Sequence, residues 1–462
     1  MSVTRRRFLG QTSAVAAGFV GLRSLVHGDT ALASDKSAGY GPLQADPEKR
    51  IDLPAGFSYR IISRAGEEMS DGFLVPGLAD GMAAFRAESP ELTILVRNHE
   101  LSPGGGGPFG KKNARLKNLP KDKLFDAGRG MTPGIGGTTT VVYDTKKQQV
   151  VRQFLSLVGT HRNCAGGPTP WGTWISCEET VTRAGFDPKK AAFSEQDHGY
   201  NFEVPATAEL HVADPVPLKA MGRFNHEAIA VDPDTGIVYE TEDRGDGCIY
   251  RFIPDRNDGR RPDLSSGRLQ ALGIKDRRIA DTRNHDTAPG EEDIQTGETL
   301  EVVWIDMDDV EAPKDDLRHR AVKAGSALFA RGEGMWYADG AIYFACTSGG
   351  RKQIGQIWKY MPGKGDNSDQ LELFIEPNDS TLIENADNLT VANSGELFVC
   401  EDRGSKTARL IGVTPSGQPF VFAACHLNTE LAGSTFSPDG STLFFNLQKP
   451  GLTVAVTGPW HS

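Results

Sequence analysis

This sequence predicts an all-β protein, a β-propeller expected to have six blades with loop insertions. Three observations carry that prediction: short apolar runs between turn signals, little helical periodicity, and a hairpin unit that recurs along the chain. The runs include 138–144, 236–240, 341–346, 396–400 and 442–446, punctuated by Asp-Gly, Ser-Gly, Thr-Gly and Pro-Asp-Gly, the pattern of short strands joined by tight turns. With 53 glycines and 27 prolines in 462 residues, the composition suits a fold rich in turns.

The recurring unit is clearest over 163–179. Asn163-Cys164-Ala165-Gly166-Gly167 sets a thiol beside a flexible Gly-Gly, the chain turns at Pro170-Trp171-Gly172, and an apolar strand stops on Glu178-Glu179. The layout returns from Glu227 through Thr235-Gly236 to Glu242-Asp243-Arg244-Gly245, and from Asp387 through Ser394-Gly395 to Glu401-Asp402-Arg403-Gly404. A further copy runs from Glu333 through Asp339-Gly340 to Thr347. A weaker first copy spans Asp80 to Asn98-His99-Glu100, and a last one centres on Pro438-Asp439-Gly440. Short antiparallel units repeated radially make a propeller, in which equivalent residues converge at one end of the axis. Cys164, Glu178, Glu227, Glu242, Glu333, Asp387 and Glu401 are therefore expected to share an axial site. The alternative is solvated turn carboxylates at blade ends.

The chain is modestly acidic, with 61 Asp and Glu against 50 Lys and Arg. Such a surface repels nucleic acid, and none is expected to bind. At the start, Thr4-Arg5-Arg6-Arg7-Phe8-Leu9 precedes a weakly apolar segment interrupted by Arg23, and Ala31-Leu32-Ala33 supplies a small-x-small cleavage pattern. This reads as a twin-arginine signal over 1–33. It implies the twin-arginine export machinery as a partner and a periplasmic or secreted location. A polar linker is expected over 34–50, then a single propeller domain over 51–462. No later segment is long and apolar enough for a membrane helix. Of the six cysteines, Cys177, Cys346 and Cys400 sit in apolar strands, as buried free thiols do. The pairing stays open.

Converging carboxylates repel one another unless a counter-charge joins them. Oxygen ligands in numbers suit Ca²⁺, whereas a thiolate points to a transition metal such as iron or zinc; acids plus one cysteine thus suggest a mixed cluster. His99 and His226 each precede a Glu, so in a strand their rings face the other way. Arg331 and Glu333, two residues apart, share a face in an extended segment. A guanidinium there can grip a phosphate bidentately or pair with a structural acid. Arg244 and Arg403 read as partners of neighbouring acids. No nucleophile elbow, zincin motif or Walker loop is present.

These residues resemble the PhoX family of exported alkaline phosphatases. The resemblance rests on the twin-arginine start, 163–167 through Cys177-Glu178-Glu179, Asn225-His226-Glu227, Arg331-Gly332-Glu333-Gly334, Asp387-Asn388-Leu389, Glu401-Asp402-Arg403-Gly404 and the closing 450–460. It implies a six-bladed propeller with an iron–calcium cluster, Fe³⁺ and Ca²⁺, hydrolysing small-molecule phosphomonoesters outside the cytoplasm. It further implies Cys164, Glu227 and Glu333 near the iron, Glu178, Glu179 and Asp387 as calcium or shared ligands, and Arg331 holding the phosphate. Arg331 and Glu333 are thereby the expected catalytic pair. Lys449 departs from the His that related sequences often carry there. A calcium-dependent lactonase-type propeller and a non-catalytic calcium-stabilised binding propeller are the alternatives.

Overall fold

A computed structural model of the chain describes residues 39–256, 261–285, 293–365, 367–404 and 406–461. The expected signal over 1–33 lies outside the described residues. Strands dominate, and among the described residues the α-helical element is Leu317–Ala324. The sheets stand in a propeller-like arrangement, built of antiparallel strands that mostly follow one another in the chain. The first joins Ala79–Arg86, Leu92–His99, Gly136–Asp144 and Gln149–Thr160; the next sets Thr173–Glu178 between Asn163–Pro168 and Asn201–Pro205. A nine-stranded sheet then runs from His226–Val231 at one edge to Gly332–Ala338 at the other. Two hairpin groups meet inside it, where Thr299–Asp306 pairs with Gln370–Ile375.

Strands from the two ends of the described residues close the structure. Ser58–Arg64 pairs with the final strand, Leu452–Thr457, and Ile51–Pro54 pairs with Pro419–Cys425. The described part of the expected linker belongs to this closure: Leu43–Gln44 pairs with Leu53 and Pro54, and the Tyr40 ring packs edge-on against Phe57 at 5.1 Å. An edge strand with unpaired N–H groups and an aromatic beside an apolar cluster both gain by docking. The polar character of 39–50 hid that.

The first strands of the successive hairpins, Ala79–Arg86, Asn163–Pro168, His226–Val231, Gly332–Ala338, Ala386–Val391 and Leu431–Phe436, neighbour one another in chain order, and the last returns to the first. Every one carries a bulge near its start. Pairing is lost between Ala79 and Met82, Asn163 and Gly166, His226 and Ile229, Gly332 and Met335, Ala386 and Leu389, and Ala432 and Thr435. A bulge bends its strand and re-aims a side chain. Here its first residue is Asp80, Cys164, Glu227, Glu333, Asp387 or Gly433, and its second is Gly81, Ala165, Ala228, Gly334, Asn388 or Ser434.

The small second residues let the backbones meet on the axis. A Cβ on Gly81 would lie 2.4 Å from Ala165 Cα, and one on Gly334 would lie 2.6 Å from Asn388 Cα. The space they enclose is about 20 Å³, too little for a ligand, so the axis is plugged there. Apolar faces of adjacent sheets pack outside the plug, with Trp174 and Trp358 among the largest buried side chains. All six cysteines are free and buried. Gly81→Ala should lower stability by about 1–3 kcal/mol, the scale of overpacking a close-packed interior. Gly106→Ala, with no heavy atom near its Cβ position, should be neutral; thermal unfolding of both variants checks the pair.

Candidate metal centre

Immediately beside the plug, the bulges open onto a pocket of about 220 Å³ lined by nine carboxylates, two guanidinia and one thiol. Asp80, Cys164, Glu227, Glu333 and Asp387 come from the first bulge positions. Glu100, Glu179, Asp243 and Asp402 come from the residues following the second strands; Arg162, Arg331 and Glu430 complete the lining. One backbone bond repeats to hold the second set. The N–H of Glu100 donates to Leu78 O at 2.9 Å, of Glu179 to Arg162 O at 2.9 Å, of Asp243 to Asn225 O at 3.1 Å and of Asp402 to Asn385 O at 3.0 Å.

The charges are far from balanced. Arg162 pairs with Glu179 and, at 2.6 Å, with Glu100. Arg331 Nε and Nη2 bind the two oxygens of Asp243 at 2.8 and 3.0 Å, and Nη2 also reaches Glu333 at 2.8 Å. The other acids face one another. Burial, then the charges of their neighbours, pushes Asp80, Glu227 and Glu333 well above the usual carboxylate range. Burial likewise lifts Asp387 to about 7, Glu179 to about 8 against the pull of Arg162, and Glu430 to about 9. The Cys164 thiol, buried and beside Glu227, is also pushed up.

Cations relieve this conflict, and the donors fit them. Glu227, Glu333 and Asp387 offer oxygens within 4.8 Å of one another, as do Asp80, Glu100 and Glu430. Oxygen sets of this kind suit hard divalent ions, and the sulfur of Cys164 next to Glu227 adds a softer donor.

The structure gathers Cys164, Glu179, Glu227, Arg331, Glu333 and Asp387 at the pocket. It places Glu178, Glu242 and Glu401 elsewhere, each one residue short of the lining and turned away from it. Glu178 accepts from the backbone N–H groups of His161 and Gly199 at 2.8 Å and from His198 Nδ1 at 2.6 Å. Glu242 accepts from Tyr250 Oη at 3.0 Å, and Glu401 from Arg409 Nε at 2.7 Å and the Glu384 N–H at 2.7 Å. These three tie loops to the sheet. His99 and His226 also face away, His99 Nε2 meeting Thr139 and His226 Nε2 meeting Gly222 O. Arg403 pairs with Glu384 and Arg244 with Asn225; Lys449 is exposed.

A second group, Asp126, His161 and His198, also brings potential ligands within 4.8 Å. Its imidazoles stack nearly parallel at 3.5 Å, so their in-plane lone pairs run side by side and do not converge. His198 bridges Glu178 and Asp126. Burial opposes its charge, but the two carboxylates prevail and lift it to about 9.

Sequence reasoning missed Asp80, Glu100, Arg162, Asp243, Asp402 and Glu430 as lining residues. A signal for most of them existed. When 99–100, 178–179, 242–243 and 401–402 are aligned, only the second column is acidic throughout, because the first begins with a histidine.

Radial sheets around a pocket of carboxylates, a thiol and arginine define a metal-dependent phosphoester hydrolase. The chain belongs to the family described as alkaline phosphatase PhoX, whose model matches residues 38–451, and is a phosphoric monoester hydrolase. Among solved structures it is similar to Pseudomonas fluorescens PhoX in complex with vanadate, a transition state analogue. That match has a TM-score of 0.66 at 18% identity and covers 90% of this chain and 97% of the other. A gluconolactonase from Xanthomonas campestris aligns at a TM-score of 0.37 and 12% identity over 92% of this chain and 99% of the other. No curated protein sequence matches significantly.

The pocket predicts a pH signature for the metal-free protein. A carboxyl lifted above its unfolded value stabilises the fold while protonated. That contribution is complete below about 4.5, the ordinary glutamate value, and is lost as pH rises through about 8 at Glu179 and about 9 at Glu430. After chelation, the unfolding temperature should fall between pH 5 and pH 9 and recover on adding a divalent cation. Thermal melts across that range check it.

Proposed function

We propose that this chain hydrolyses phosphomonoesters at an axial iron–calcium cluster held by Cys164, Glu179, Glu227, Glu333 and Asp387, with Asp80, Glu100, Asp243, Asp402 and Glu430 completing the oxygen set. One observation carries the reading: nine buried or half-buried carboxylates and a thiol converge on two arginines in a single pocket. Iron and calcium are favoured over one ion type because the donors are mixed, oxygens in excess beside one sulfur. Family membership favours phosphoester hydrolysis over the lactonase and binding alternatives. We further count the hairpin groups as six blades, the nine-stranded sheet being two of them joined at their outer strands.

When bound, the cations supply Lewis-acid stabilisation to the phosphoryl oxygens. The protein's own part is positioning. Arg331 is clamped along its Nε–Nη2 edge by Asp243 and Glu333, which leaves Nη1 to meet an equatorial phosphoryl oxygen as charge develops there. Glu333 holds that arginine and would also hold a cation. The axial plug closes the far side, so the ester enters from the mouth and its leaving group exits there.

Arg331→Ala should lower kcat/KM for p-nitrophenyl phosphate by roughly 2–4 kcal/mol, the scale of one oxyanion-stabilising donor. Elemental analysis of the same preparations should find iron and calcium in the parent protein; full activity in the variant, or neither metal in the parent, would overturn the assignment. Export by the twin-arginine route, to the periplasm or beyond, is proposed from Arg5-Arg6 and the Ala31-Leu32-Ala33 site. Replacing both arginines with lysine should leave the protein in the cytoplasmic fraction, as immunoblotting of cell fractions would reveal.

A further inference from the structure

The backbone bond that repeats around the pocket makes Arg162 and Arg331 equivalent. The carbonyl of Arg162 accepts the N–H of Glu179 at 2.9 Å, and that of Arg331 accepts the N–H of Thr347 at 3.0 Å. Both residues immediately precede a bulged inner strand, and both adopt the left-handed region, φ +49° and +55°. The likeness extends to the side chains. Each guanidinium is anchored through Nη2 to two carboxylates, Glu100 and Glu179 for Arg162, Asp243 and Glu333 for Arg331. Each uses its Nε as well, Arg162 toward Glu179 O at 3.1 Å and Arg331 toward Asp243 at 2.8 Å. In both cases Nη1 makes no hydrogen bond among the described residues. Side-chain exposures of 35% and 41% leave both within reach of a ligand. They flank the strand that carries Glu227.

We propose that Arg162 is a second anion-gripping residue, its free Nη1 holding one phosphoryl oxygen while Arg331 holds another. A tetrahedral phosphoryl group presents several equivalent oxygens, so two guanidinia from neighbouring sides fix its orientation where one leaves rotation free. The alternative role, neutralising Glu100 and Glu179 alone, needs only the Nη2 edge and leaves Nη1 unexplained. The inference rests on the reading that this pocket receives the phosphoryl group.

The test is binding of inorganic phosphate to the metal-loaded protein by calorimetry, with metal content measured alongside. Arg162→Lys keeps the charge but loses the two-edged fork. It should retain iron and calcium and bind phosphate roughly 10- to 100-fold more weakly, the worth of one charged hydrogen bond, with KM rising more than kcat falls. Arg162→Gln should weaken binding further. Parental affinity in Arg162→Lys, or loss of metal parallel to loss of affinity, would overturn the role of Arg162. If Arg331→Lys alone weakened binding, the pocket reading would stand without Arg162. If the metal-loaded parent bound no phosphate, both would fall.

Discussion

Like charge gathered out of water is the constraint around which this molecule is arranged. Nine carboxylates in about 220 Å³ repel one another strongly where the surroundings screen poorly. Two arginines cannot offset that, and protonation offsets it only until pH rises past the lifted values of about 7 to 9. The fold tolerates the load because every acid sits on a strand or next to the end of one, with the bulges aiming the inner set and the repeated backbone bond holding the outer one. The destabilisation is then available as affinity: an ion that enters relieves repulsion already present and does not have to order loose ligands. Glu178, Glu242 and Glu401 belong to the same economy. Turned away from the axis and bound to backbone N–H groups or arginine, they stiffen the loops next to the ligands.

The architecture was legible because its signals are local. Turn dipeptides and short apolar runs mark hairpins wherever they occur, and the repeated units from Cys164, Glu227, Glu333 and Asp387 named strands that do begin with bulges. The site was legible to within one residue. At the ends of the second strands the side chains alternate, so Glu242 and Asp243 face opposite ways although both are acids; composition cannot choose between them, and the choice fell on the wrong member. Arg162 was invisible for another reason. Its role depends on its equivalence to Arg331, and that equivalence lies in the backbone pairing, which no motif records.

The plug adds a second logic. Gly81 and Gly334 lack side chains where neighbouring backbones come within contact distance on the axis. The same shortness that closes the channel lets the acidic residues beside it approach closely enough to share ions. Tight packing and ligand geometry are thus set by adjacent positions of one bulge, and a change at either member is felt by both.

Ring closure has a consequence for biosynthesis. Asp80 lies on a strand whose neighbour, Leu431–Phe436, is made more than 340 residues later, and Ser58–Arg64 waits for Leu452–Thr457 to complete its sheet. A ribosome-bound chain therefore holds only an open arc, with its acids spread along the rim and no enclosed cage. Ion capture becomes a checkpoint on completed synthesis, so a truncated product lacks both the finished ring and the means to retain its metals.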